Sequence, residues 1–193
     1  MAIGGSLREN SASLAALQVA AAECARLGAD VTVLDLNTVN FPMFSLAGEK
    51  NPPEEIKQYL TLARNADAFI WASPMYNGSM SGAFKNALDW LHPMKEDDPP
   101  FLSNKVIGFI ATAAGVLGLQ VINTMDFAAR SLRGIIVPLS VVVTKAPEVY
   151  VEGRWLNEEV VKQLRALGQE VFRLAQVTEQ ARAPRTQTVA AGV

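Results

Sequence analysis

A continuous apolar run stands at Ala68 to Ala72, with a second buried strand read at Val106 to Ala111 and a fifth strand at Ile135 to Val143, and with helical periodicity between them. A strand needs such a run, without alternation, when both faces of its sheet are covered. Helices between such strands must cross over, and right-handed crossovers make the strands parallel. Two further strands precede these: Ile3 to Gly5 reads as the end of one, and Val31 to Leu36 as an alternating one. Helices are predicted over Ser11 to Leu27, from Pro52-Pro53 to Asn65, over Ser81 to Leu91, over Leu119 to Arg133 and from Asn157 onward. Gly28 and Gly134 are expected to close the first and fourth of these, and Asn157 to cap the last. The fold class predicted is α/β: a three-layer, doubly wound, five-stranded parallel sheet of order 2-1-3-4-5. It is expected over residues 1–178, with a loose tail over 179–193 where Ala, Arg, Pro and Thr replace the pattern.

Composition narrows the function classes. The chain has 193 residues, enough for a two-sided core, and its net charge of −2 argues against a nucleic-acid surface. No charge-free run is long enough to cross a bilayer, and no signal peptide is read at Met1-Ala2-Ile3-Gly4-Gly5. The single cysteine, Cys24, excludes an internal disulfide and fits a reducing cytoplasm. It lies on the apolar stripe of the first helix, where a small buried hydrophobe is expected. The single histidine, His92, leaves little room for a His-rich metal site or a Ser-His-Asp triad.

In an open parallel sheet, ligands sit beyond the carboxyl ends of the strands where strand order reverses. That position gathers three loops. Gly5 to Ser13 joins a strand to a helix N-terminus, which favours an anion. Its Ser6, Ser11 and Ser13 hydroxyls and the Arg8 guanidinium suit a terminal phosphate, although Ser11 as a plain N-cap and Arg8 as a solvated residue fit equally well. The loop has no Gly-x-Gly-x-x-Gly and no Gly-Lys-Ser/Thr. The second loop, Ser73 to Gly78, has no acid, base, nucleophile or metal ligand. Pro74 fixes its entry, Asn77 and Gly78 tolerate left-handed backbone, and Tyr76 offers a ring face. Such a turn suits holding a flat cofactor, and equally an ordinary strand-to-helix turn. The third, Ala113 to Gly118, is small and permits close approach to a ring.

The run Ser73-Pro74-Met75-Tyr76-Asn77-Gly78-Ser79, with Lys85-Asn86-Ala87-Leu88-Asp89-Trp90, resembles the signature of the NADPH-dependent FMN reductase family, and Gly5-Ser6-Leu7-Arg8 with Ser11 resembles that family's phosphate loop. The resemblance covers residues 1 to 176 and implies a flavodoxin-like fold, FMN as cofactor, NADPH or NADH as co-substrate, and a homodimer or homotetramer. It implies that Ser6, Arg8, Ser11 and Ser13 hold the FMN phosphate. Pro74, Met75, Tyr76 and Asn77 would wrap the ring and ribityl chain, largely by backbone amides, and Gly115 and Val116 would line the pyrimidine end. Hydride would pass from nicotinamide C4 to flavin N5 and on to a small acceptor (flavin, quinone, azo compound or oxyanion) in ping-pong order. No catalytic side chain, metal, nucleic acid or membrane enters this scheme. Several positions depart from the family pattern: Met75 stands where Glu is common, Ser81 where a helix-starting Pro is frequent, and Val121 and Phe127 where many relatives have Arg.

A flavodoxin-like electron carrier and a cofactor-free binding protein are the other readings. The mild charge weighs against a carrier, and colour and its bleaching by NADPH separate the three. Trp90 fits either core or an interface, His92 to Asn104 either a solvated loop or part of an acceptor lid, and Trp155 could reach a neighbouring subunit.

Overall fold

The structure is a computed structural model that describes residues 1–182. Five strands, β1 (Ala2–Gly4), β2 (Val33–Asp35), β3 (Ala68–Pro74), β4 (Val106–Thr112) and β5 (Ile135–Val143), form one sheet. All pairings are parallel and the order is β2-β1-β3-β4-β5, as predicted. The helices are α1 (Ala12–Arg26), α2 (Glu54–Asn65), α3 (Gly82–Asp89), α4 (Leu119–Ser131), α5 (Ala146–Val149) and α6 (Glu158–Arg182). A hairpin, β6 (Tyr150–Val151) and β7 (Arg154–Trp155), stands between α5 and α6.

Alternation along the strands divides the core. Phe69 and Trp71 of β3 and Ile107 and Phe109 of β4 face α2, α3 and α4, where Tyr59, Phe84 and Met125 meet them. Ile70 and Ala72, with Val106 and Ile110, face α1 and α6. The first face is rich in aromatic rings, whereas the second is built from Ala, Val, Leu and Ile. Small residues such as Ala16 and Ala20 therefore let α1 and α6 lie close together. Cys24 is buried at that contact, its thiol donating to the Gly168 carbonyl at 3.2 Å, and burial pushes its pKa up to about 11. A thiol so raised is a packing group, as expected.

Several local expectations are corrected. β2 is confined to Val33–Asp35, because only those residues find a ladder partner on β1. The left-handed residue ending α4 is Arg133, φ 64°, and not Gly134. Gly134 packs instead where a Cβ would lie 2.2 Å from Ile107 Cδ1. Helix α6 runs to Arg182, so residues 179–182 of the expected tail are helical; the remainder of that segment lies outside the described residues. Trp90 is core, with its indole N–H donating to the Pro42 carbonyl at 2.8 Å. The segment from His92 to Asn104 is no lid. Met94 and Leu102 anchor it in the core, and it delivers the chain to the amino edge of β4, opposite the three loops. His92 Nδ1 lies 2.6 Å from Glu49 Oε2, and this contact, the largest cause, holds the Glu49 carboxyl below its usual range.

Candidate functional site

At the carboxyl edge a cleft of about 380 Å³ opens between the loops after β1, β3, β4 and β5. Its first wall is the turn into α1. The Gly5 amide donates to the Ala72 carbonyl at 2.8 Å, and a Cβ on Gly5 would meet Phe84 at 2.7 Å, so only glycine lets this loop lie against α3. Ser6 Oγ accepts from the Arg8 amide and Ser11 Oγ from the Leu14 amide, each at 3.2 Å. Both oxygens are used as acceptors, which leaves their hydroxyl hydrogens as donors. The amides of Ala12 and Ser13 head α1, beyond reach of any carbonyl of a preceding turn. The Ser13 hydroxyl is hydrogen-bonded to that of Thr112 on the cleft floor, where both are buried. Arg8 is exposed and forms no ion pair among the described residues.

The second wall is the turn after β3. Tyr76 and Ser79 exchange two backbone hydrogen bonds, at 3.0 and 3.1 Å, around Asn77 and Gly78, whose φ values are +50° and +79°. Two consecutive positive φ angles define a two-residue turn of the primed kind, for which Asn-Gly is the favoured pair. The turn spends amides that the sequence reading assigned to a ligand. Met75 N–H donates to the Thr112 carbonyl at 2.8 Å, Tyr76 N–H is held by Ser79, and Pro74 has none. What faces outward is the Tyr76 ring, 48% exposed.

These two walls are tied together beneath the surface. Ser81 caps α3, its Oγ accepting from the Phe84 amide at 3.1 Å and donating to the Gly5 carbonyl at 2.5 Å. The Ser81 amide donates to Ser73 Oγ at 2.9 Å, and Ser73 Oγ donates to the Pro74 carbonyl at 3.0 Å. One buried serine thus fixes the anion-favouring loop relative to the aromatic one.

Ser6, Arg8, Ser11, Ser13, Pro74, Met75 and Tyr76 all line the cleft, together with Thr112, Ala113 and Ala114. Asn77, Gly115 and Val116 stand outside that lining, Val116 at the rim with 72% exposure. Sequence reasoning missed the wall after β5: Ala146, Pro147, Tyr150, Val151 and Glu152. The Ala146 amide bonds to the Ala113 carbonyl at 2.9 Å, and the hairpin turns through Glu152 and Gly153 with φ +48° and +78°. The available signal was a two-residue X-Gly turn between aromatic-bearing pairs, since Tyr150 and Trp155 pack in a tilted arrangement with centroids 4.8 Å apart. Glu-Gly is a weaker turn marker than Asn-Gly, and the strands are only two residues long.

The cleft is therefore polarised. One end offers hydroxyls, helix-head amides and a guanidinium to an anion; the other offers Tyr76 and small apolar residues to a flat surface. Its volume lies within the roughly 300–1,000 Å³ of small-molecule sites. An elongated ligand with a phosphate at one end and a planar ring at the other fits this set of groups. Among the described residues no group of three or more His, Cys, Asp or Glu could hold a metal ion.

Comparison with known proteins agrees with this geometry. A family profile described as NADPH-dependent FMN reductase matches residues 1–152. An FMN-dependent NADPH-azoreductase of Staphylococcus saprophyticus is 35% identical over 116 residues, and the match spans 58% of each chain. An NAD(P)H-dependent FMN reductase of Pseudomonas aeruginosa is 30% identical over 190 residues, covering 90% of this chain and 95% of the relative. Among solved structures, a flavoenzyme NAD(P)H:acceptor oxidoreductase of Paracoccus denitrificans superposes with a TM-score of 0.74 at 18% identity, covering 92% and 96% of the two chains. At that identity the superposition shows the fold, which is flavodoxin-like.

Proposed function

Because the chain belongs to the NADPH-dependent FMN reductase family, we propose that it is an FMN-dependent NAD(P)H oxidoreductase acting on a small acceptor, with residues 1–178 as the flavin-binding unit. The observation that carries this reading is the polarised cleft itself. An anion-favouring helix head and a flat aromatic margin occur in one cavity, held at a fixed span by Ser81. Ser6, Ser11 and Ser13 would donate to the FMN phosphate with the Ala12 and Ser13 amides, and Arg8 would add a charge-assisted contact. Pro74 and Met75 would set the backbone and Tyr76 would flank the ring, with Asn77, outside the cleft lining, shaping the turn that presents Tyr76. Ala113 and Ala114 allow close approach, with Gly115 and Val116 forming the outer margin. FMN, when bound, supplies the ring through which electrons pass from nicotinamide to acceptor. The chain orients that ring and leaves one mouth for both partners, so double-reciprocal plots should be parallel.

The net charge of −2 and the single buried cysteine support a cytoplasmic protein without a nucleic-acid partner. No helix among the described residues is long and apolar enough to cross a membrane. A homo-oligomer is supported by the outer stripe of α4. Leu119, Asn123 and Phe127 are spaced four apart, and Phe127 is 74% exposed. An antiparallel pairing about Asn123 stacks Leu119 of one copy on Phe127 of the other, a self-complementary arrangement.

The test is anaerobic addition of NADPH to the FMN-loaded protein. Bleaching of the flavin absorbance, reversed by an acceptor, is expected. Stable yellow colour in excess NADPH contradicts an oxidoreductase and leaves only flavin binding.

A further inference from the structure

Resting on the reading of the cleft as a flavin site, we propose that Thr112 is a positioning residue for the FMN phosphate, its hydroxyl and that of Ser13 acting as one unit that delivers a single hydrogen to the anion. Thr112 is the only side chain of β4 able to hydrogen-bond; the rest of the strand reads Val-Ile-Gly-Phe-Ile-Ala, and the whole strand is buried. Packing does not call for a hydroxyl at this strand end. Val143, the register partner of Thr112 on β5, has nearly the same shape and is fully buried. A buried hydroxyl costs stability unless it is bonded, so that of Thr112 needs a use. Its partner is Ser13 Oγ on α1, and neither oxygen has another hydrogen-bond partner among the described residues.

The backbone of Thr112 is held from both sides. Its carbonyl accepts from the Met75 amide at 2.8 Å, and the next amide, that of Ala113, donates to the Val143 carbonyl at 2.9 Å. The hydroxyl is therefore a fixed post, and Ser13, the second residue of α1, is aligned against it. Two hydroxyls that share a hydrogen bond spend one hydrogen between them and keep one. Both residues line the cleft, although Ser13 is only 2% and Thr112 only 4% exposed. Ser13 also carries one of the free amides at the head of α1. An anion seated there draws the hydrogens into one direction: Thr112 donates to Ser13, and Ser13 donates to the phosphate. Donation from Thr112 polarises the Ser13 hydroxyl and strengthens its bond to the anion. Without Thr112 the Ser13 hydroxyl is free to rotate, and without Ser13 the Thr112 hydrogen has no relay. Removing either residue breaks the same unit.

The experiment titrates FMN and riboflavin into the full chain as wild type, Ser13→Ala, Thr112→Val and the double variant, reading flavin fluorescence. Each single variant should weaken FMN about tenfold, the scale of one hydrogen bond to a charged group, and leave riboflavin, which lacks the phosphate, unchanged. The double variant should also lose about tenfold, where two independent contacts would lose roughly a hundredfold. Thr112→Ser keeps the hydroxyl and should bind FMN as the wild type does. Thr112→Ala takes the place of Thr112→Val in the cycle if the valine variant does not fold. Four results overturn the proposal: losses that multiply in the double variant, a Thr112→Val protein with unaltered FMN affinity, an equal loss for riboflavin, or a Thr112→Ser protein as weak as Thr112→Val. A wild-type protein that binds neither flavin overturns the flavin reading itself, whereas wild-type binding with multiplying losses overturns only the role given to Thr112.

Discussion

The two ends of the cleft are built in opposite ways. At the anion-favouring end the hydroxyl donors sit on a braced support, with only Arg8 exposed: Gly5 is wedged against Phe84, Ser6 and Ser11 are tied to backbone amides, and Ser13 is locked to Thr112. At the ring end Tyr76, Val116 and Leu117 project from tight turns into solvent. The contrast teaches where affinity and selectivity reside. A preorganised anion cradle loses little entropy on binding and, in the function proposed, would anchor the flavin. An open apolar margin must admit and release two partners in turn, so it is left uncovered.

The largest effect is expected where the two ends are joined. Ser81→Ala keeps the backbone while deleting the hydroxyl bonds to the Gly5 carbonyl and the Phe84 amide. Loss of the cap and of a buried acceptor's partner should cost about 2–4 kcal/mol of stability. FMN affinity should fall by well over tenfold, as read by fluorescence titration. Ser81→Thr retains the hydroxyl and should remain near wild type; equal loss in both variants would mean that the serine hydroxyl does not join the ends.

Arg8→Ala should act on the phosphate end alone. Removing one charge-assisted contact should weaken FMN roughly tenfold and leave riboflavin, which lacks the phosphate, unchanged. A parallel loss for riboflavin would erase the distinction between the ends. Gly78→Ala should act on the ring end. At φ +79° a Cβ is strained and crowds Gln120, costing about 1–2 kcal/mol in thermal unfolding, with the FMN-to-riboflavin affinity ratio preserved.

The smallest effect concerns the support of α1. The guanidinium of Arg26, with Gln169, holds the Glu23 carboxyl down to about 2. A depressed folded-state pKa adds stability that is present above the ordinary carboxylate range and lost as pH falls toward that value. Glu23→Gln should therefore flatten the acid side of the melting-temperature profile between about pH 4.5 and 2 while leaving neutral-pH FMN binding intact.

The comparison also shows what a sequence exposes to reading. The parallel sheet covered on both faces was legible because β3 and β4 are buried nearly throughout, whereas its order was chosen among the doubly wound variants and is the one observed. The Asn77-Gly78 turn was legible because few other residues accept two left-handed positions. The fate of the Met75 and Tyr76 amides was not, since their partners, Thr112 and Ser79, are fixed by strand register and turn closure. Arg133 displaced Gly134 as the helix terminator because packing against Ile107 claimed the glycine. The wall of Tyr150, Val151 and Glu152 was hidden because a two-by-two-residue hairpin leaves almost no periodicity.

A crystal structure of the protein grown with FMN tests the central claim most directly. The account predicts phosphate oxygens within hydrogen-bonding distance of the Ser6 and Ser11 hydroxyls and the Ala12 and Ser13 amides, with the ring beside Tyr76. A flavin bound elsewhere, or reversed with its ring against α1, would contradict it.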